Sequence, residues 1–584
     1  MPAVKQRKRP AQSIGADITR LDQLKTSFDR AAARTKATLL KRLATADISR
    51  AADLEKYHDL LCFLRTYPDS PAQLSRVEKE LFQFASRIEK YKKQSRDYET
   101  AELADSGIVN TSVSHTFSYD LTRALAVWYP DLFDISWDEY NESESANIIS
   151  FLPLLVGWQE NDSIDNDPDF DIQSWLTKTA AGRRTSLGML LHLLASSRLD
   201  HPTARALFEN AEIPLCWKLI NCSGSRTFKR LPARTIFYQT SPLVGRTSDL
   251  RRDLARPARP LVHLQRSEGE VYVRAIKEVL GVRCRELFPL IGSNPAEVYR
   301  YRPGRGVEII IFGNNPDIRL PLESNFGAML LRNGMPVGYG ISAMLFDRAE
   351  IAINIFPAYR TGESSFIIEH FFHLFVRHFG ARVLLVRSYQ VGDDNEEAIE
   401  SGSFWFYYKL GFRPVKKRVR DLAAVEARRV FSKKGYRTPE SMLKRLSRSD
   451  VYLHLNPSQT EGYDELSLPN LGYAVSYYIR DRFDGNRQLA EDGSVKRLVK
   501  LLPIRDFNRW SANEQTGLRR LAPLVCCIRD LARWSAADRR LLAQLIRAKG
   551  STRERDFAAL MLQHDRFQRA VWNLANTTTP PATS

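Results

Sequence analysis

The chain has 584 residues, 43% hydrophobic and 26% charged, a balance that makes it globular and long enough for more than one core. It has no run of 18 or more apolar residues, so no membrane-spanning helix is expected, and its six cysteines form neither a zinc spacing nor a disulfide framework. A net charge of +18 points to anionic partners such as nucleic acid, a nucleotide cofactor or an acidic surface, although the arginines are dispersed and also suit solvated helix faces.

The first 17 residues carry the cluster KQRKR with no apolar stretch behind it. They read as a disordered basic tail rather than a secretory signal, and the sparse cysteines fit a reducing cytoplasm. From Ile18 to about Tyr91 the apolar residues recur at three- and four-residue spacing, which predicts helices. SPAQ (Ser70–Gln73) has the form of a capping box with proline at the first helical position. The stretch ENDSIDNDPDFD (160–171) predicts an acidic loop, and TSLGMLLHLLASS a buried helix. The segment SRTFKRLPARTIFYQTSPLVGRTSD mixes turn and strand signals, and the region 18–300 is expected to be mainly helical.

The pattern changes near residue 305. GVEIIIFG, FGAMLLRNG and VGYGISAMLF are short apolar runs bounded by turn residues, the signature of strands, and RNGMPVG reads as an Asn-Gly hairpin turn. The following AEIAINIF, YRTGESSF, IIEHFFHLFVRHF and ARVLLVRSY read as strand, loop, helix, strand. After Arg420 helices return. TPES at Thr438, and SANE, SAAD and STRE at Ser511, Ser535 and Ser551, look like helix starts, and the tail over 576–584 reads as disordered.

The stretches INIFPAYRTGESS and FWFYYKLGF resemble the GNAT superfamily of acyl-CoA-dependent N-acetyltransferases, over about residues 305–420. Arg360 matches the first position of the family's phosphate loop, Gly362 stands one residue early, Glu363 replaces a usual glycine, and Ser365 takes the last small position. Tyr407, in a helix ending at Leu410-Gly411-Phe412, falls where the family commonly has the tyrosine that protonates the departing thiolate. The resemblance implies acetyl-CoA or another acyl-CoA as co-substrate, with Arg360, Thr361, Gly362, Ser364 and Ser365 around its diphosphate. It implies a strand EIAINIF that splays from RVLLVRSY, with backbone N–H groups near Asn354, Ile355 and Phe356 on the thioester carbonyl.

The residues alone leave the loop open between a phosphate cradle at a helix N-terminus and an ordinary turn. For the base, the acidic segment before the Tyr407 helix offers Glu397 and Glu400, and the loop offers Glu363; the segment also reads as a solvated helix start. His370, His373 and His378 share a helix, but no third ligand shares a plausible face, and no metal is expected. The expected chain is α+β: a GNAT-like mixed-sheet domain over 301–420 between helical regions over 18–300 and 421–575. Its expected activity is acyl transfer to an amine acceptor, left open between a small amine and a macromolecule; the alternative is an inactive scaffold of the same fold that binds an anionic macromolecule.

Overall fold

The helices between Gln12 and Gln94 bury Ile18, Leu21, Leu40, Leu54, Tyr57, Leu61 and Phe63, the stripe that helical spacing predicts. These positions come from a computed structural model that describes residues 12–96, 101–140, 148–456 and 463–578. The cluster KQRKR and most of the C-terminal tail lie outside the described residues. The terminal helices Gln12–Leu24 and Asp565–Thr577 take in residues 12–17 and 576–577, which the sequence assigns to tails. The central helix of the N-terminal group, α1 (Ala51–Thr66), is buried on nearly all sides. Ser70 caps the next helix by accepting from the Gln73 N–H at 3.3 Å, with Pro71 at its first turn.

Three antiparallel strands interrupt the helical region: β1 (Ser112–His115), β2 (Phe133–Ile135) and β3 (Leu215–Lys218), in the order β1-β3-β2. Runs this short carry too little alternation to be read from sequence. The expected acidic loop is partly helix, Trp158–Asp165, and Asp171 caps the helix Ile172–Ala180 by accepting from the Ser174 N–H at 2.6 Å.

A nine-stranded sheet forms the centre: β4 (Leu261–His263), β5 (Ser293–Gly304), β6 (Val307–Asn314), β7 (Ser324–Arg332), β8 (Met335–Leu345), β9 (Arg348–Ile355), β10 (Val383–Val386), β11 (Arg413–Pro414) and β12 (Val451–His454). Its spatial order is β11-β12-β10-β9-β8-β7-β6-β5-β4. The sheet therefore draws strands from both sides of 301–420. α2 (Arg266–Gly281) packs on β5. Asn333 and Gly334 both have positive φ, 50° and 78°, and form the two-residue hairpin between β7 and β8 that Asn-Gly predicts. β4 to β9 are antiparallel; β10 runs parallel to β9 after the crossover helix α3 (Ser364–His378).

α4 (Ser403–Lys409) carries Tyr407. Of FRPVKKRV, only Arg413–Pro414 forms a strand, β11. Val419, Ala423 and Ala427 are buried at helical spacing and draw the rest into α5 (Lys417–Ser432), followed by α6 (Glu440–Leu446). Thr438 does not cap α6: its hydroxyl accepts instead from the Trp405 indole N–H at 3.0 Å.

One hydrophobic core joins the N-terminal helices to the sheet, and a second lies within the helices after Leu468. The C-terminal group docks through Phe346, at the β8–β9 turn, which packs on Phe567 and Trp572. It also docks through a buried ionic joint. Arg319 donates to Glu297 at 3.2 Å and to the carbonyls of Lys549, Ser551 and Thr552, while the Glu297 carboxylate accepts from the N–H groups of Glu554 and Arg555 at 2.8 and 2.9 Å. Glu297 thus caps the helix Glu554–Gln563, and Ser551 does not. Ser511 and Ser535 cap their helices as their sequences predict.

Arg319→Met leaves Glu297 and Glu554 buried without their arginine. It should cost about 3–5 kcal/mol in chemical denaturation. Adding Glu297→Gln should recover part of that loss.

Candidate active site

β9 and β10 stay paired for only three residues, Arg348–Glu350 against Val383–Leu385. Beyond that point β9 continues to Ile355 while the other chain turns away into a short helix at Ser388. The result is a wedge in the middle of the sheet, with Ala352, Ile353 and Asn354 half-buried along its edge. The Phe356 N–H donates to the Val337 carbonyl of the neighbouring chain at 2.9 Å. By the alternation of an antiparallel ladder, Asn354 faces β8 in the same way, and Ile353 and Ile355 turn their N–H groups into the wedge. Of the three expected N–H donors, only Ile355 points into the gap.

Tyr407 is buried and packs edge-on to Phe412, which contacts Phe372 of α3. Its hydroxyl makes no hydrogen bond among the described residues, and burial pushes its pKa above the ordinary tyrosine value. It is a protonated donor at neutral pH.

The loop YRTGESSF divides into two halves. Its inner half is a joint with the N-terminal helices. The Tyr67 hydroxyl accepts from the Glu363 N–H at 2.9 Å, and a Cβ on Gly362 would overlap the Tyr67 ring. The glycine is required by Tyr67 rather than by positive φ. The Glu363 carboxylate is fully buried. It is clamped by Arg305 and Arg332 and accepts from the Val244 N–H at 3.0 Å, while Gln239 binds the Arg332 guanidinium at 2.7 Å. Burial raises the pKa of Glu363, but Arg305 and Arg332 outweigh it and hold the group below the usual carboxylate range. Glu363 is therefore a structural anion, and its expected role as a base is withdrawn.

The outer half stays open. Arg360 and Thr361 are exposed, and the Ser364, Ser365 and Phe366 N–H groups at the start of α3 have no backbone acceptor within the described residues. Arg360 turns its Nε to the Ile355 carbonyl at 3.0 Å and pairs with Glu397. Glu397 also faces Arg285 at 3.6 Å, and the Arg360 hydrogen bond lowers its pKa, so it is a poor proton acceptor. Glu400 is exposed at the end of its own short helix.

Sequence patterns missed the groups at the crotch of the wedge. Arg387, directly after β10, donates to Glu350 at 2.7 Å and to Asp450 at 2.9 Å. Glu323 lies on the same sheet face as Glu350, two residues before Asn325 in the ladder Asn325–Ala343–Glu350. It is half-buried, and burial together with the charge of Glu350 raises its pKa. The charges Glu350, within β9, and Arg387, next to the apolar run of β10, were the available signal.

The segment 241–263 straps α3 from outside. Thr247 N–H donates to Glu369 at 2.8 Å, and the Nε2 atoms of His373 and His378 donate to the Arg256 and Arg259 carbonyls at 2.9 and 2.8 Å. The Nδ1 of His373 accepts from Tyr301 at 3.2 Å, so two of the three histidines hold the strap. Comparison with protein families, with curated proteins and with solved structures finds no match to this chain.

Glu363→Ala should destabilise the chain by about 3–5 kcal/mol, because two buried guanidinium groups lose their anion; thermal unfolding measures it. A second expectation concerns pH. Burial, with His373 and Arg259 nearby, lowers His370 from 6.5 to about 4, so the unfolded chain binds a proton there that the folded chain refuses. Stability should fall as pH drops from about 6.5 towards 4, and His370→Leu should flatten that slope.

Proposed function

We propose that the chain is an acyl-CoA-dependent N-acyltransferase of the GNAT type, working in the β9–β10 wedge. The observation that carries this reading is the parting of the parallel strands β9 and β10 in mid-sheet, and it is supported by the unbonded, protonated hydroxyl of Tyr407 on a helix that follows β10. A thioester in the wedge would place its carbonyl oxygen at the Ile355 N–H, where a donor fixed in advance stabilises the developing oxyanion. The open N–H groups of Ser364, Ser365 and Phe366 at the positive end of α3 suit the diphosphate, with Thr361 beside them. Gly362 and Glu363 fall outside that cradle.

The amine attacks the carbonyl carbon, the C–N bond forms and the C–S bond breaks. Glu323, with its raised pKa, takes the amine proton, directly or through a water, and Tyr407 gives a proton to the leaving thiolate. Solvent then reprotonates Tyr407. Arg387 pairs with Glu350 and Asp450 beside the acceptor path.

A second reading has one observation of its own. The Tyr67 hydroxyl fills half of the loop, as it would in a scaffold of this fold that has given up the cofactor.

Calorimetric titration with acetyl-CoA separates the two readings. Saturable binding, weakened several-fold by Ser365→Pro at the α3 start, supports the enzyme; absence of binding to acetyl-CoA, longer acyl-CoAs and free CoA sinks it. With an accepted amine, Tyr407→Phe should lower kcat by about 10- to 100-fold with little change in cofactor affinity.

A further inference from the structure

The stretch Lys416–Arg448, which spans α5 and α6, contains twelve Lys and Arg against three Asp and Glu. All twelve cations except Arg420 are exposed. The three acids are already engaged. Glu426 is buried and bound to Arg429 and Tyr436, Asp421 pairs with Lys417, and Glu440 pairs with Lys444. Arg418, Arg428, Lys433, Lys434, Arg437 and Arg445 have no carboxylate partner among the described residues. The 16 residues of α5 give this face a length of about 24 Å.

The charged face runs into a groove. Phe431, at the end of α5 and 57% exposed, forms one wall of a cavity of about 510 Å³ shared with Arg246, Tyr408, Lys409 and Arg413. No Asp or Glu lines it. The Lys409 ammonium lies 6.0 Å from the Phe431 ring centre, and the Arg413 guanidinium 4.1 Å from that of Tyr408. A smaller hollow of about 200 Å³ continues past Arg413 to Arg251, again without a carboxylate. Burial and the charge of Arg413 lower the pKa of Arg251, and the charge of Asp249 offsets them only in part.

We propose that this surface binds a single-stranded nucleic acid, its phosphate backbone along α5 and α6 and a base stacked on Phe431 at the mouth of the groove. Rows of unpaired cations supply sequence-independent attraction to phosphates, and an exposed ring among them supplies the stacking platform that single strands use. A membrane surface is a poorer occupant, because Val419, Ala423 and Ala427 face the protein interior and α5 exposes only Ala424, Val425 and Phe431 among its cations, too few apolar side chains for an inserting face. The surface lies outside the wedge and does not depend on acyl transfer.

The test is fluorescence anisotropy of a labelled single-stranded RNA of about 16 nucleotides with the full chain. Binding should weaken with a slope of log K against log salt of about −3 to −4, the value for four to six phosphate contacts. Replacing Arg418, Arg428, Lys433 and Lys434 by Glu should weaken it at least tenfold. The same charge change at Arg487, Arg509, Arg533 and Arg540, exposed in the C-terminal helices, should have little effect. Phe431→Ala, a milder variant, should weaken single-strand binding several-fold and duplex binding hardly at all. Equal loss in the two charge-reversed variants would overturn the proposal, because attraction would then follow net charge alone. Preference for vesicles of anionic lipid, or for an acidic polypeptide, over RNA would overturn it as well. So would full competition by acetyl-CoA or inorganic phosphate at stoichiometric levels, which would give the groove to a small ligand.

Discussion

The carboxylate of Glu363 holds four parts of the chain together. It sits at the end of the β9–α3 loop, between an arginine on the β5–β6 turn and another at the end of β7, and it accepts from the backbone of the strap. Its own N–H is taken by Tyr67, whose ring stacks under Arg332 with its centre 4.1 Å from the guanidinium. A charge this deep is tolerable only if every neighbour answers it, since removal from water costs several kcal/mol per ion. The N-terminal helices, the strap, the sheet and α3 are therefore fixed in register by one group. The same joint decides which half of the loop remains free for a ligand.

A second buried ionic joint does similar work at the other end of the sheet. Arg319 and Glu297 hold the start of the helix Glu554–Gln563 through carbonyl and N–H groups that no local cap satisfies. The two joints hold opposite ends of the strands β5 to β7, and the wedge opens towards the end held by Glu363. Its two sides differ in chemistry. The α3–α4 side is aromatic and dry around Tyr407, which favours a neutral hydroxyl. The opposite face collects Glu323, Glu350 and Arg387, the groups that the proposed reaction would use to receive the amine. The separation follows from the pleat, because successive residues of β9 point to opposite faces.

The basic face of α5 and α6 belongs to neither joint. α5 buries Val419, Ala423, Glu426 and Ala427, and Arg418, Arg428, Lys433, Lys434, Arg437 and Arg445 take no carboxylate among the described residues. Lys409 and Arg413 carry that charge to the base of α4, next to Tyr408 and one residue beyond Tyr407 in chain order.

Local physics made much of the fold legible. Asn333-Gly334 specified a hairpin because both residues accept positive φ, and Ser70, Ser511 and Ser535 specified helix starts because their hydroxyls reach a backbone N–H three residues on. The apolar periods of β6 to β9 and of α3 likewise needed no partner to be read. The sequence by itself thus determined β6 to β9, α3 and the helix starts at Ser70, Ser511 and Ser535, and that Tyr407 and Tyr408 stand on a helix after β10. Only the tertiary structure decided what the charged residues do. Glu363 looked like a departure in a phosphate loop, but Arg305 and Arg332, far away in sequence, make it a structural ion. Ser551 looked like a cap, but Glu297 arrives from more than 250 residues away and takes the same N–H groups. A charge has no periodicity, and its role is set by whichever opposite charge the fold brings within reach.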